Sequence, residues 1–231
     1  MIHADETHVS VKARDSFVWV FTSMEDVIYI WSPTREAHTA SEFLKNFAGV
    51  LVSDFYAVYD SINCRQQKCL IHLIRDLNNY LHQEPFNTEI RGIAHEFAKL
   101  LKPIIETIDR FGLKARFLSK HKRAVTRFYG ALLPREYKTE LAQKVQERFK
   151  KNRERLFTFL DYDGIPWNNN NAEHAIKAFA RLRDVVQGPT TEHGIRDYLI
   201  LLSICQSCAY RKIDFLHFLR SGEKRFGQQL S

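Results

Sequence analysis

The sequence predicts an α/β fold, a mixed sheet with flanking helices and an all-helical insertion. Three observations predict it. Runs rich in β-branched and aromatic residues crowd the N-terminal third. Their order, three strands, helix, strand, helix, strand, is that of a sheet with helices packed on it. From about residue 73 the period becomes helical, and no strand signal returns for roughly ninety residues.

The elements follow in order. Residues 2–11 alternate apolar positions around Asp5, and 17–22 (FVWVFT) and 27–31 (VIYIW) flank a hairpin turn at 23–26. A helix starts near 39–42 and stops at Gly49. The apolar run 50–52 predicts a buried strand ending at Ser53 and Asp54. A short helix over 56–62 and a strand over 68–71 complete the sheet. Helical spacing then covers 73–80, 89–111, 113–133 and 136–160, with a kink expected at Pro103. A polar loop at 161–171 precedes a helix over 172–185, a break at Gly188-Pro189, and helices over 194–210 and 213–220. This divides the chain into 1–75, the first part of a core; 76–160, a basic helical insertion; and 161–231, the last part of the core.

At 231 residues, 45% hydrophobic and 13% aromatic, the chain has the material for a sizeable core, which excludes disorder. Nine glycines and six prolines exclude a collagen-like or linker-like chain. The longest apolar run, 198–209, contains Ser203, Gln206 and Ser207 and is shorter than the roughly 18 residues of a membrane span. No signal peptide opens the chain, so a cytoplasmic protein is expected. Disulfides are then not expected, and Cys205 and Cys208 read as buried thiols on an apolar helix.

The net charge is +7, but residues 110–155 alone hold fifteen Lys and Arg against four Glu, a local +11. Phosphate-binding surface is expected there, with Lys150, Lys151 and Arg153 as candidate contacts, against the plainer reading of solvated helix faces. Three carboxylates carry the candidate chemistry. Asp5 lies in the first strand. Asp54 follows a buried strand, where α/β proteins place ligands, although capping the next helix is an equal alternative. Glu173 sits in the first turn of a helix, a position the helix dipole also favours. Together they offer the oxygen donors that magnesium prefers.

Motifs at 3–7 (HADET), 52–59 (VSDFYAVY), 69–75 (C-x-x-H-x-x-R), 169–173 (N-N-x-A-E), 194–199 (GIRDYL) and 202–206 (LSICQ) occur in that order. With them the chain resembles, over essentially its whole length, the catalytic domain of the insertion-sequence transposase family numbered sixty-six. These are bacterial DDE transposases with an RNase H-like fold. The resemblance implies a triad of Asp5, Asp54 and Glu173, separated by 49 and 119 residues. It implies two Mg2+ or Mn2+ ions, with Asp5 and Asp54 sharing one and Glu173 on the second, and in-line cleavage and joining of DNA without a covalent protein intermediate. It also implies DNA as the partner, at transposon ends and target, with a homodimer or higher assembly on DNA and nucleoid association. The chain departs from the family pattern at Asn168, His174 and Lys177. Because it begins at its first strand, a fragment lacking the DNA-binding region ahead of the catalytic domain is expected.

Other residues carry open alternatives. Glu6 should face away from Asp5 on a strand. His72 is either a packed histidine or a group near the site, and Arg75 reaches a phosphate or a carboxylate. Asn169 and Asn170 brace a loop or contact DNA. Lys177 pairs with Glu173 at i, i+4 or contacts phosphate, with Arg181 on the same face. Two rival functions remain: a nuclease of the same fold that cuts without joining, and a silent remnant that only binds DNA.

Overall fold

The computed structural model describes residues 1–11, 14–186 and 191–226, without the side chains of 182–186; the break expected at Gly188-Pro189 lies outside the described residues. The fold is a mixed five-stranded sheet with flanking helices, as the sequence predicts. The chain divides into two compact units, one comprising 2–47, 57–62 and 170–231, the other Met1, 48–56 and 63–169.

The first unit is built on an antiparallel meander of β1 (Ile2–Val11), β2 (Arg14–Thr22) and β3 (Val27–Ser32). The turn between β2 and β3 is closed by Ser23, whose amide donates to the Asp26 carbonyl at 2.8 Å while its hydroxyl accepts from the amides of Glu25 and Asp26. β2 is apolar from Phe17 to Phe21 because both its faces are covered there, while Arg14 and Asp15 at its start are exposed. Val18 and Val20 pack with Ala175 and Phe179 of α8 (Asn170–Val186) and Ile195, Leu199 and Leu202 of α9 (Glu192–Arg211). On the other face Phe21 stacks on Phe43 of α1 (Ala37–Phe43), and Trp19 meets Tyr59 of a 3-10 turn, Ala57–Ser61, edge to face. Ser203 and Ser207, polar residues on an apolar helix, have a definite task. Their hydroxyls accept the amides of Tyr29 and Val27 at 3.0 Å, satisfying backbone groups on the outer edge of β3. α10 (Phe215–Ser221) packs on α9.

The second unit pairs β4 (Val50–Ser53) with β5 (Arg65–Lys68) in parallel, Ser53 opposite Lys68. Its helices are α2 (Leu70–Gln83), α3 (Thr88–Phe111), α4 (Ala115–Leu118), α5 (Lys122–Leu132), α6 (Glu140–Lys151) and α7 (Arg153–Leu156). Val50 and Val52 join a core with Leu70, Leu73 and Leu77 of α2 and an aromatic knot of Phe97, Phe128 and Phe149, whose ring centroids lie 5.1–5.9 Å apart. α3 runs on through Pro103, where the Thr107 hydroxyl donates to the Pro103 carbonyl at 2.8 Å.

Several expectations need correction. The strand expected at 68–71 lies three residues earlier, at Arg65–Lys68, and α2 begins at Leu70. The apolar run there belongs to a helix face: Leu70, Leu73 and Leu77 share the 3.6-residue period. The first helix ends at Phe43, short of Gly49. The helices expected over 113–133 and 136–160 are each divided, the second at Asn152, whose side-chain amide donates to the Arg148 carbonyl at 2.8 Å. All four cysteines are free thiols, and only Cys208 of the Cys205–Cys208 pair is buried. Among the described residues, no helix is long and apolar enough to cross a membrane.

Candidate functional site

In the unit built on the meander, Asp5 lies opposite Val20 in the β1–β2 register. Paired residues of neighbouring strands project to the same face, so Asp5 shares the face on which Val20, Val9 and Val11 meet α8. It is half-buried, and its Oδ1 accepts the Glu6 amide at 2.9 Å. α8 packs on β1 and β2 through Ala172, Ala175 and Phe179. Glu173 stands in its first turn beside this buried stripe and is itself half-buried. The two acids are therefore carried by elements that pack on each other.

Glu6, next to Asp5 in sequence, faces the other way, as strand alternation requires. It lies opposite Trp19 in register, and its carboxylate accepts from the Tyr59 hydroxyl at 2.6 Å and from Arg35, with 2% of the side chain exposed. It is a structural acid. Further along α8, Lys177 and Arg181 are exposed, as is Asn170 at the helix start. Asn171 has a bracing role: its amide donates to the Ser23 carbonyl at 2.9 Å, and its oxygen accepts from the Tyr210 hydroxyl.

In the unit built on β4 and β5, Asp54 directly follows β4. Its Oδ1 accepts the Tyr56 amide at 2.8 Å, an Asx turn that fixes the loop at the carboxyl end of the strand. The Ser53 hydroxyl donates to the Asp54 carbonyl at 3.0 Å and accepts from Lys68 Nζ at 3.2 Å. The Cys69 amide donates to the Ser53 carbonyl at 2.8 Å, so the ends of both parallel strands are tied together where α2 begins. His72 lies in the first turn of α2, one turn from Cys69, with ligand-type atoms of the two within 4.8 Å. Arg75 is exposed a further turn on. The loop ahead of α8 is pinned to the same place. The Leu70 amide donates to the Trp167 carbonyl at 2.9 Å, and the amide of fully buried Asn169 donates to Cys69 Sγ at 3.2 Å.

Lys150 and Lys151 end α6, and Arg153 opens α7; all three are exposed. Lys150 pairs with Glu147 at 3.2 Å and Arg153 with Glu154 at 4.0 Å.

Sequence reasoning missed Lys68, a lysine with no exposed surface one register step from Asp54. It stands in the polar tetrapeptide RQQK, which carries no strand signal. The only available clue was its position just ahead of the C-x-x-H motif.

A family model described as Transposase IS66 family matches residues 1–197. No curated protein matches the chain. Among solved structures, the HTLV-2 integrase catalytic core domain, determined in complex with magnesium in a trimeric form, is similar over 37% of this chain and 73% of its own. The identity is 16% and the TM-score 0.24.

Proposed function

Because this chain belongs to the IS66 family of transposases, we propose that it cleaves and joins DNA phosphodiesters, with Asp5, Asp54 and Glu173 as its acidic triad on an RNase H-like core. The observation that carries this reading is the placement of Asp5 on the α8-covered face of β1, with Glu173 in the first turn of that helix. The fixed position of Asp54 at the carboxyl end of a buried strand supports it.

The donor set fits a hard divalent cation. Three carboxylates offer oxygen alone, the donor type that magnesium and manganese take, and each is half-buried and so open in part to an ion. Asp5, Asp54 and Glu173 would hold two Mg2+ or Mn2+ ions, which when bound activate the attacking hydroxyl and offset charge at phosphorus. The protein's own part is orientation. The Tyr56 amide holds one oxygen of Asp54 and leaves the other for a ligand, while the packing of α8 on β1 holds the helix that carries Glu173 against the Asp5 strand. Exposed Lys177 and Arg181 on α8, with Arg75 on α2, are proposed phosphate contacts, and His72, Asn169 and Asn170 are proposed supports. DNA ends and target are the proposed partners, engaged by a homodimer or higher assembly.

The test is a strand-transfer assay with Mn2+ and a duplex carrying the element's ends. Cut and joined products are expected from the wild type, and neither from Asp54→Asn. Asparagine keeps an oxygen for the Tyr56 amide, so folding should be spared. Cut but unjoined products would favour the nuclease reading. Normal cleavage by Asp54→Asn would overturn the triad.

A further inference from the structure

An exposed cation that already lies beside a carboxylate presents less net positive charge to a phosphate than one that does not. Several of the helical block's cations are so paired. Lys122 pairs with Asp161, Lys114 with Asp163, Arg148 with Asp76 at 2.6 Å, Lys150 with Glu147 and Arg153 with Glu154. Arg153 is further held over the Tyr129 ring, 5.3 Å from its centroid.

Lys99 of α3 and Arg123 and Arg127 of α5 are among the cations without such a partner, and they are set apart by lying together. All three are exposed, and among the described residues none has a carboxylate within ion-pair distance. Arg123 and Arg127 are four residues apart, hence on one helix face about 6 Å apart along the axis. Lys99 and Arg127 line the same cleft between α3 and α5, together with Arg135; of the described residues lining it, Glu96 alone is acidic. Two helices thus bring unneutralised cations to one edge, a pattern complementary to the dense charge of a DNA backbone.

We propose that this edge, Lys99, Arg123 and Arg127, is where the helical block holds the phosphate backbone of duplex DNA, in preference to the 150–153 segment that the sequence singles out. The proposal rests on the reading of the protein as a DNA transposase and specifies which surface meets DNA outside the acidic site. The surface reads no base sequence; it supplies affinity and orientation.

The experiment measures binding of a fluorescent duplex of arbitrary sequence by anisotropy across a salt series. The proteins are wild type, a triple Lys99→Glu, Arg123→Glu, Arg127→Glu variant, and a triple Lys150→Glu, Lys151→Glu, Arg153→Glu variant. A third triple, with Gln at 99, 123 and 127, removes charge without adding repulsion, and melting temperatures verify folding. The expected result is at least a tenfold loss of affinity in the first variant, a smaller loss in the second, and a log–log salt slope shallower by about two to three in the Gln variant. Wild-type affinity and slope in both 99/123/127 variants would overturn the placement alone. So would a greater loss from the 150–153 variant. Unchanged DNA affinity with lost binding to a polyglutamate peptide would overturn it in favour of an acidic protein partner. A wild type that binds no duplex would overturn both the placement and the transposase reading beneath it.

Discussion

The ammonium of Lys68 donates to the hydroxyl of Ser53 at 3.2 Å, with both residues wholly buried on adjoining parallel strands. Lysine is almost never fully buried without partners that accept its protons. Ser53 passes the restraint on, since its hydroxyl donates to the carbonyl of Asp54. The loop carrying one member of the proposed triad is therefore fixed by a cation on the neighbouring strand.

Ser53→Ala removes an acceptor from that buried charge and frees the Asp54 carbonyl. Loss of a hydrogen bond to a buried charged group costs about 1.5–3 kcal/mol, and urea denaturation should show a loss of that size with an unchanged slope. A stability within about 0.5 kcal/mol of wild type, the ordinary scatter of surface changes, would mean that Lys68 does not depend on Ser53.

Asp5 and Glu6 are adjacent acids with separate tasks, because β1 turns them to opposite faces. Glu6→Gln weakens the bonds from Arg35 and Tyr59 and should cost about 1 kcal/mol, a modest figure because Arg35 is half exposed to solvent. Asp5→Asn should leave stability near wild type and abolish Mn2+ binding measured by calorimetry, whereas Glu6→Gln should retain it. Loss of Mn2+ binding in a folded Glu6→Gln variant would reassign the ligand.

Glu89 gives the stability a predictable acid dependence. In the first turn of α3, its carboxylate accepts the amides of Lys138 and Thr139 and the Thr139 hydroxyl at 2.7–3.2 Å. The Lys138 bond first, then those from Thr139 and attraction to Arg135, hold its carboxyl below the usual glutamate value. A depressed folded-state value means that the stabilisation is complete above the unfolded value of 4.5 and disappears as pH falls through the folded one. Thermal melts of wild type and Glu89→Gln should differ at neutral pH and converge on acidification below that range. A constant gap across the acid range would assign the effect of the substitution to something other than this ionisation.

The legible parts of the fold were those whose burial shows in the apolar character of their own run of residues, however distant the elements that cover them. The three strands of the meander announce themselves because β2, covered on both faces from Phe17 to Phe21, is apolar over that run, and Asp5 and Glu6 could be assigned opposite faces from strand alternation alone. The Asn152 break between α6 and α7 was illegible because a side-chain-to-backbone bond makes it, with no Gly or Pro. For Asp54 the sequence left ligand and cap as alternatives; the Asx bond to Tyr56 uses one oxygen and is compatible with both roles. β5 was misplaced for a different reason: its buried residues are Gln66, Gln67 and Lys68, whose polar groups are satisfied in part by residues about ninety positions later. Local pattern cannot show a partner that distant.

Gln67 makes that dependence measurable. Its side-chain amide donates to the carbonyls of Lys68 at 2.8 Å and Leu156 at 2.9 Å, and its oxygen accepts the Phe159 amide at 3.0 Å. One buried side chain thus satisfies backbone groups on β5, at the end of α7 and in the following 3-10 turn, Thr158–Leu160. Gln67→Leu is close in volume and more apolar, so a purely hydrophobic account makes it stabilising. It also leaves the Leu156 carbonyl and the Phe159 amide without this partner in the interior, at about 1–3 kcal/mol each. The net expectation is a loss of about 2–4 kcal/mol, with faster hydrogen exchange at Phe159 and little change at the distant Tyr29 amide, which Ser203 holds. Gln67→Glu tests the same geometry differently, since it keeps the acceptor for Phe159 but loses the donor to Leu156 and places a charge at a site with no solvent. It should destabilise more than Gln67→Leu at neutral pH, and a Gln67→Leu variant as stable as wild type would show that β5 is held by its strand pairing alone.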